Sequence, residues 1–212
     1  MKLYHHPIST YSQKVLIALY EKDLDFEREI VQLMDPEKRA VYREVYPMGK
    51  IPLLVDGEHR VPESSIIIEY IDRMGERRLI KGDADQQRKI RFKDRMFDLY
   101  LNEAVVTLLF QGMKPEEQRD AERIENAWHR IKTMYMFMEN EFGGQDYANG
   151  DEFLMADCAA APALLYAQKV APFSEHKNIV AYWERLKSRP SVARTINEAA
   201  PYIEAMEKQA AA

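Results

Sequence analysis

Three short polar stretches hold side chains whose types and spacing could do chemistry. The first, Ser9-Thr10-Tyr11-Ser12, stands directly before an apolar helical pattern. The N-terminus of a helix presents unpaired backbone N–H groups to an anion, and hydroxyl groups beside it can donate to a thiolate or an oxyanion. The same hydroxyls are common helix N-caps, so a purely structural role for Ser9 or Thr10 is the alternative.

The other two stretches could bind the backbone and one end of a peptide. Ile51-Pro52 opens a strand-like segment, where a proline either marks a sheet edge or leaves the N–H and C=O of the preceding residue free for a ligand. Glu63-Ser64 stands at the start of the next helix. There the carboxylate can receive an amine, while the hydroxyl and the helix amides can receive a carboxylate. Taken alone, each pair could equally be the ordinary start of an element.

The elements that position these residues change in character along the chain. Up to Met74, strand-like and helical segments alternate in the order β-α-β-α-β-β-α. The first β-α-β unit implies parallel strands with a right-handed crossover, and Asp56-Gly57 predicts an antiparallel hairpin between the last two strands. The predicted strands are 2–5, 26–33, 52–55 and 59–61, and the predicted helices are 12–22, 36–46 and 65–74.

The rest of the chain has the period of long helices. One apolar stripe predicts a helix over 85–113, and a second helix is expected from about Pro115 to Gly143, with Trp128 on its core face. Three more helices are predicted at 155–170, 178–187 and 191–199, the first of them central and buried. These patterns predict an α/β domain over 1–76, a linker over 77–84 and an all-helical domain over 85–212.

Composition limits the classes of protein that fit. With 46% apolar and 31% charged residues the chain is neither disordered nor collagen-like, and its net charge of −5 disfavours nucleic acid and membrane surfaces as partners. The sequence has no apolar run of about 18 residues and no export signal. A single cysteine, Cys158, excludes an internal disulfide, which favours the cytoplasm. We expect Cys158 to be buried. His5 and His6 face opposite ways on a strand, so no metal site is expected.

Taken together and in this order, the three stretches resemble the glutathione S-transferase superfamily, and within it bacterial members with a serine-type site. The resemblance extends over almost the whole chain. By it the fold is α/β plus all-α: an N-terminal thioredoxin-like domain followed by a C-terminal helical bundle domain. The motifs that carry it, besides 9–19, are 47–57, 63–71, Phe153-Leu154-Met155-Ala156-Asp157-Cys158 and 182–192.

The resemblance implies a role for each of the three stretches. Glu63 and Ser64 are expected to hold the γ-glutamyl end of glutathione. Ile51, before a cis Pro52, is expected to pair with the cysteinyl backbone, and Lys50 to help at the glycyl end. Ser9 is expected to donate to the glutathione sulfur. Tyr11 stands where its phenol could take that place instead, so which hydroxyl contacts the sulfur stays open.

The expected function is that of an enzyme, a glutathione transferase of the detoxification type. It uses glutathione as co-substrate and no metal, takes a hydrophobic electrophile of unspecified identity, and forms a homodimer. The electrophile pocket is expected near Pro7, Ile8 and Tyr11 and along the helix over 97–110. The alternative is the stringent starvation protein A group, which resembles this chain near Tyr11-Ser12 and Asp157-Cys158. That group implies a non-catalytic adaptor that binds RNA polymerase.

One position departs from the family's pattern. In the family, the helix that carries Asp157 usually begins with Ser or Thr three residues earlier, and here that position is Leu154. We therefore expect Asp157 to cap the preceding backbone without the reciprocal half of a capping box.

Overall fold

The computed structural model describes residues 1–210, in which a mixed sheet with three helices is followed by a bundle of helices. Ala211 and Ala212, at the end of the predicted helical domain, lie outside the described residues. The first part contains β1 (Lys2–His5), α1 (Thr10–Glu21), β2 (Glu27–Ile30), α2 (Pro36–Val45), β3 (Leu53–Asp56), β4 (His59–Pro62) and α3 (Ser64–Ile71). The second contains α4 (Ala84–Met96), α5 (Glu103–Gly112), α6 (Ala121–Glu141), α7 (Met155–Val170), α8 (Lys177–Ser188) and α9 (Pro190–Ala210).

The sheet contains the two strand pairings that the sequence predicts, a parallel β1–β2 pair and an antiparallel β3–β4 hairpin, and adds a β1–β3 pairing that the sequence does not predict. Its strand order is β2-β1-β3-β4, with β1 parallel to β2 and antiparallel to β3, and with β3 antiparallel to β4. Leu3 of β1 lies opposite Leu54 of β3. Helices α1 and α3 pack against each other and bury Val15, Leu19 and Ile67 in the same core. The predicted fold class, an α/β domain followed by an all-helical domain, is confirmed.

The predicted helix over 85–113 is one continuous helical run with an inserted π-helical turn. Helix α4 passes directly into the turn Phe97–Asn102, which passes into α5. A π turn holds more residues than an α turn, so it rotates the faces of the helix that follow it, and such turns are frequent at functional sites. Sequence periodicity over the whole run does not reveal this insertion.

Two expectations about α6 are wrong. The helix does not begin at Pro115, which precedes a short 3-10 turn over Glu116–Gln118. It begins at Ala121, because the Asp120 side chain accepts a hydrogen bond from the Arg123 N–H at 3.0 Å and caps the helix there. Trp128 is not a core residue, since it is 37% exposed. The buried stripe of α6 runs through Ala127, Ile131, Met134, Tyr135 and Met138.

The predicted linker over 77–84 is packed against both parts of the protein. Leu79 and Ile80 are buried. The Leu79 N–H donates to Asp72 Oδ1 at 2.5 Å, and the Leu79 carbonyl accepts from the Met155 N–H at 3.0 Å. The segment therefore connects α3 to α7 through fixed backbone contacts.

Helix α7 is the central helix of the second part, as predicted. It packs against α1, α4 and α5, and most of its residues are buried. At its start Asp157 accepts from the Leu154 and Ala148 N–H groups, each at 2.8 Å, and from the Tyr182 hydroxyl at 2.6 Å. Leu154 has no side-chain oxygen, so the Asp157 N–H donates to the backbone carbonyl of Leu154 instead, at 3.0 Å. Asp157 thus caps the preceding backbone, as expected for a helix that lacks Ser or Thr at this position.

Candidate functional site

A cleft of about 170 Å³ lies where the sheet domain faces α4, the π-helical turn and α5. Apart from Ser9, every predicted glutathione-binding residue lines this cleft, five in all, and Tyr11 lies beside them. From the helical side it is closed by Arg95, Asp98, Leu99 and Glu103, and Tyr46 completes the lining. The residues on the sheet-domain side are Tyr11, Lys50, Ile51, Pro52, Glu63 and Ser64.

The loop before β3 presents Lys50 and Ile51 to this cleft. The Ile51–Pro52 peptide bond is cis, as expected. Gly49 has a φ of +61°, a conformation that glycine adopts without a steric penalty, and its N–H donates to the Tyr46 carbonyl at 2.8 Å. The Tyr42 hydroxyl donates to the Lys50 carbonyl at 2.8 Å. The backbone around Lys50 is therefore held from two sides while the Lys50 side chain stays exposed.

The start of α3 forms the opposite wall. Glu63 has a φ of +67°, a value that costs a residue with a Cβ about 1–3 kcal/mol and that concentrates at ligand sites. Its carbonyl nevertheless accepts the first helical hydrogen bond, from the Ile67 N–H at 2.8 Å. Ser64 follows as the first residue of α3 and is buried, whereas Glu63 is exposed. The turn thus directs a carboxylate and a helix N-terminus toward one place.

Ser9 caps α1, which is the structural role that the sequence leaves as the alternative. Its hydroxyl oxygen accepts from the Ser12 N–H at 3.3 Å, and its own N–H donates to the His6 carbonyl at 3.0 Å. Accepting a hydrogen bond leaves the hydroxyl hydrogen of Ser9 able to donate elsewhere. Within the described part of the chain, Ser9 is not among the residues that line the cleft, although it stands two residues from Tyr11, which is.

Tyr11 is half-buried and keeps its proton at neutral pH. Burial raises the pKa of its phenol, and the negative charge of Asp98 raises it further. A hydrogen bond from the Asn102 side chain acts in the opposite direction but does not reverse the shift. A protonated phenol in the cleft is a hydrogen-bond donor, which is what a thiolate requires.

Behind the cleft lies a buried polar group that the sequence patterns do not predict, here called the Lys14 cluster: Lys14, Ser65, Asp94 and Asp98. Lys14 is 1% exposed, and its Nζ lies 2.7 Å from Asp94 Oδ1, 2.7 Å from Asp98 Oδ2 and 2.8 Å from Ser65 Oγ. The Ser65 hydroxyl in turn donates to Asp94 Oδ2 at 2.7 Å. Burial alone would lower the pKa of Lys14, but the two carboxylates outweigh it and raise the pKa, so the ammonium stays charged.

This cluster joins the two parts of the protein at the site. Lys14 belongs to α1 and Ser65 to α3, while Asp94 and Asp98 come from α4 and the π-helical turn. Burial raises the pKa of Asp94, against the opposing effect of Lys14, and the neighbouring Asp98 raises it further. The signal available in the sequence was a lysine inside the apolar stripe of α1 and two aspartates four residues apart in a basic helix.

Among the residues that the structure describes, Cys158 and the possible metal-ligating side chains show no geometry of a second reactive site. Cys158 is fully buried, as expected, and burial raises the pKa of its thiol well above the ordinary value, which disfavours the nucleophilic thiolate. Within residues 1–210, His, Cys, Asp and Glu side chains form no group of three suited to a metal ion. Over the same residues, no helix has the length and apolar character needed to cross a bilayer.

Comparison with known proteins supports a single family. The chain matches the family descriptions "Glutathione S-transferase, N-terminal domain" over residues 3–77 and "Glutathione S-transferase, C-terminal domain" over residues 101–190. Among curated proteins it is 27% identical to glutathione S-transferase F7 of Arabidopsis thaliana, over 92% of this chain and 99% of that protein. Glutathione S-transferase F6 of the same plant is 28% identical over the same shares of the two chains.

Solved structures give the same result. A glutathione S-transferase from Methylobacillus flagellatus, crystallised with GSH bound, superposes with a TM-score of 0.83 at 24% identity, over 92% of this chain and 98% of the other. Glutathione transferase F7 of Populus trichocarpa superposes with a TM-score of 0.81 at 25% identity, over 93% and 98% of the two chains. The two family matches together span most of the sequence, and the fold agrees with them, so the chain belongs to the glutathione S-transferase superfamily.

Proposed function

We propose that this protein is a glutathione transferase that conjugates glutathione to a hydrophobic electrophile, with a hydroxyl of the α1 N-terminus stabilising the glutathione thiolate. The observation that carries the proposal is the composition of the cleft. It places Lys50, Ile51 and the Glu63-Ser64 pair around one space, beside the protonated phenol of Tyr11. These groups match an ammonium, two carboxylates and a peptide backbone, which are the polar parts of glutathione.

Each wall of the cleft binds one part of the tripeptide. Glu63 receives the γ-glutamyl amine, and the Ser64 hydroxyl with the α3 N-terminus receives the γ-glutamyl carboxylate. Ile51 pairs its backbone with the cysteinyl residue, and Lys50 attracts the glycyl carboxylate. This arrangement directs the cysteinyl sulfur toward the N-terminus of α1, where Ser9 and Tyr11 stand.

The chemical step requires the thiolate of glutathione. Its proton passes to solvent, and hydrogen bonds from Ser9 or Tyr11, with the positive end of the α1 dipole, stabilise the charge that remains on sulfur. The thiolate then attacks an electrophilic carbon, so that a C–S bond forms while the leaving group departs with its electron pair. Leu99 and the ring of Tyr11 offer apolar surface for the second substrate.

The assembly and location expected from the sequence belong to the same proposal. The domains are 1–76 and 85–212 with the linker 77–84, the protein acts in the cytoplasm, and two copies associate as a homodimer. Ile66 on α3 and Phe92 on α4 support the dimer, since these large apolar side chains are 52% and 53% exposed. Sedimentation should give a species of twice the 24.8 kDa chain mass. A 24.8 kDa species across micromolar concentrations would contradict the dimer.

The test of the proposed function is binding and turnover by the wild-type protein. We expect it to be retained on immobilised glutathione, to elute with free glutathione, and to conjugate glutathione to a generic aromatic electrophile. A pull-down from lysate on the same preparation tests the adaptor alternative. A protein that neither binds glutathione nor turns over, but retains RNA polymerase, would replace the transferase proposal by the adaptor.

Single variants separate binding from chemistry. Glu63→Ala removes a charged hydrogen bond of about 1.5–3 kcal/mol, so glutathione affinity should fall by an order of magnitude or more, with less change in kcat at saturation. Ser9→Ala should leave affinity nearly intact and lower kcat near neutral pH. If Tyr11→Phe abolishes turnover while Ser9→Ala does not, Tyr11 is the partner of the sulfur and the assignment of Ser9 is wrong.

A further inference from the structure

The turn that leads into Ser9 is held by two buried side chains outside the turn. The Pro7 carbonyl accepts from Gln13 Nε2 at 2.7 Å, and the Ile8 carbonyl accepts from the Tyr166 hydroxyl at 2.8 Å. Gln13 and Tyr166 are also in contact with each other, with 3.3 Å between Nε2 and Oη. Both side chains are almost completely buried. The carbonyls of Pro7 and Ile8, the two residues before Ser9, therefore each accept from a buried side chain.

These two donors come from different parts of the protein. Gln13 lies on α1, four residues beyond Ser9, whereas Tyr166 lies on α7 in the helical part, 158 residues from Ile8. Burial raises the pKa of the Tyr166 phenol to about 12, so its O–H remains a donor at every pH at which a thiol is titrated. The interaction is thus a permanent contact between the central helix of one domain and the catalytic turn of the other.

The hydrogen bond to the Ile8 carbonyl restrains the backbone that leads into Ser9. The Ile8 carbonyl and the Ser9 N–H belong to one planar peptide unit, so a donor held on that carbonyl sets the orientation of the whole unit. The Ser9 N–H on the same unit donates to the His6 carbonyl at 3.0 Å, which closes the turn. With both ends of this unit bonded, the Cα of Ser9 has little freedom, and the Ser9 side chain is held in turn by the Ser12 N–H, which donates to Ser9 Oγ at 3.3 Å.

We propose that Tyr166 is a positioning residue for the thiol-activating hydroxyl: its O–H holds the Ile8 carbonyl and so places Ser9 against the glutathione sulfur. Tyr166 acts only through the turn and touches no substrate. This inference rests on the proposed glutathione transfer and on Ser9 as the partner of the sulfur. It makes the active site dependent on the docking of α7, because the donor is supplied by the helical domain.

Tyr166→Phe tests this role, because it removes the hydroxyl and keeps the ring. We expect kcat at pH 7 to fall about tenfold, since small displacements of a catalytic group have effects of this order or larger. The pH at which kcat/KM reaches half its maximum should rise, because a displaced Ser9 stabilises the thiolate less. The Kd for glutathione should stay unchanged, since Lys50, Glu63 and Ser64 lie on other elements.

Tyr135→Phe is the matched control. Tyr135 is also a buried tyrosine of the helical domain whose hydroxyl donates to a carbonyl, that of Ala171, at 2.6 Å. Tyr166→Phe loses the bond to the Ile8 carbonyl and the longer bond from Gln13, whereas Tyr135→Phe loses one bond, so Tyr166→Phe should be somewhat less stable. Tyr135→Phe should keep the wild-type pH profile. A second test is made in the Ser9→Ala background, where Tyr166→Phe should cause no further loss of kcat.

Three outcomes would overturn the inference while wild-type conjugation stands. The first is a Tyr166→Phe variant with the same kcat and pH profile as Tyr135→Phe. The second is a full additional loss of kcat when Tyr166→Phe is added to Ser9→Ala. The third is a Ser9→Ala variant with wild-type kcat. If Tyr166→Phe does not fold, replacement of Tyr166 by 4-fluorophenylalanine decides instead, because the fluorine fills the space of the hydroxyl but cannot donate a hydrogen bond. Lowered kcat at unchanged glutathione Kd then supports the inference, and a wild-type profile overturns it. Absence of conjugation by the wild type is a different result, since it removes the proposed function itself.

Discussion

Helix α1 is tied to the helical domain by two polar groups that differ in how much water reaches them. The Lys14 cluster lies in the first half of α1, and the side chains of Lys14, Asp94 and Asp98 are all buried from water. At the other end lies the Glu21 cluster: Glu21, Arg77, Arg189 and Ser191. There the carboxylate is buried, but Arg77 and Arg189 are 39% and 22% exposed.

The balance of charge differs as well. In the Lys14 cluster one ammonium faces two carboxylates, and a further cation, Arg95, lies at its edge with Nη1 3.3 Å from Asp98 Oδ2. In the Glu21 cluster two guanidinium groups share one carboxylate, at 2.8 Å from Arg77 and 2.6 Å from Arg189. A buried charge that loses its partner cannot be hydrated, whereas a half-exposed arginine can. The two clusters should therefore respond very differently to the loss of one charge.

The largest effect is expected from Lys14→Met. It leaves Asp94 and Asp98 buried against each other, and breaking a buried ion pair in this way costs about 3–5 kcal/mol. The melting temperature should fall by roughly 10 °C in a chain of this length. Denaturant unfolding measures the loss. In the control, Lys14→Met combined with Asp94→Asn, part of the stability should return, because one uncompensated charge is gone. A loss below about 1 kcal/mol for the single variant would show that water reaches the cluster.

Acid should destabilise the protein through His5 of β1, which belongs to neither cluster. His5 is buried, and burial lowers its pKa to about 4, with the charge of Arg28 acting in the same direction. The unfolded chain takes up this proton near pH 6.5 and the folded chain only near pH 4. Between these values the unfolded state therefore binds more protons, and stability should fall as pH falls, by about 3 kcal/mol in total.

The measurement for this acid effect is unfolding in denaturant at pH 7 and at pH 4.5. His5→Leu should lose less stability than the wild type over that interval, because it has no buried ring to protonate. His129→Leu, at an exposed position of α6, is the control and should behave as the wild type does. Equal losses in the wild type and His5→Leu would assign the acid sensitivity to other groups.

Glu21→Gln should cost less than Lys14→Met, about 2 kcal/mol. The variant loses charge-assisted hydrogen bonds, each of the order of 1.5–3 kcal/mol, but the two arginines recover part of this by hydration. Glutathione affinity should not change, because Glu21 is at the end of α1 far from the cleft lining. A loss as large as that of Lys14→Met would mean that exposure of the partners does not distinguish the two clusters.

Features of this protein that depend on neighbouring residues could be predicted from the sequence, whereas contacts between distant residues could not. The parallel β-α-β unit and the hairpin at Asp56-Gly57 follow from local patterns, and both are observed, whereas the pairing of β1 with β3 is not local and was not predicted. The Lys14 cluster was missed because its contacts are not local: Lys14 and Asp98 are 84 residues apart, and nothing near Lys14 in the chain reveals a partner. The start of α6 was misplaced because Asp120 competes with Pro115 as a start signal, and only the cap contact decides between them.

The candidate site shows the same division. Lys50, Ile51, Pro52, Glu63 and Ser64 belong to short motifs, so local sequence was enough to propose them as candidates, and the fold of the sheet domain brings them to one cleft. Which hydroxyl meets the sulfur depends instead on the fixed turn before Ser9 and on the helical residues that surround Tyr11. Tyr166 and Asn102 reach those places from distant parts of the chain, and residue type gives no sign of it.

The smallest expected effect on stability tests the comparison most directly. Ser65 and Ser191 are both buried serines whose hydroxyls donate to a buried carboxylate, Asp94 in one cluster and Glu21 in the other. Ser191→Ala should cost about 1 kcal/mol, since it loses one hydrogen bond while the ion pairs of its cluster remain. Ser65→Ala should cost slightly more, because Ser65 Oγ also accepts a hydrogen bond from Lys14. On stability alone the two variants should differ little.

They should differ in glutathione binding. Ser65 follows Ser64 in the first turn of α3, so its contact with Lys14 and Asp94 holds the helix N-terminus that is proposed to receive the γ-glutamyl carboxylate. Calorimetry should therefore show a severalfold weaker Kd for Ser65→Ala and a wild-type Kd for Ser191→Ala. Equal glutathione affinities of the two variants would show that the Lys14 cluster stabilises the fold without contributing to glutathione binding. The two clusters would then differ only in their exposure to water.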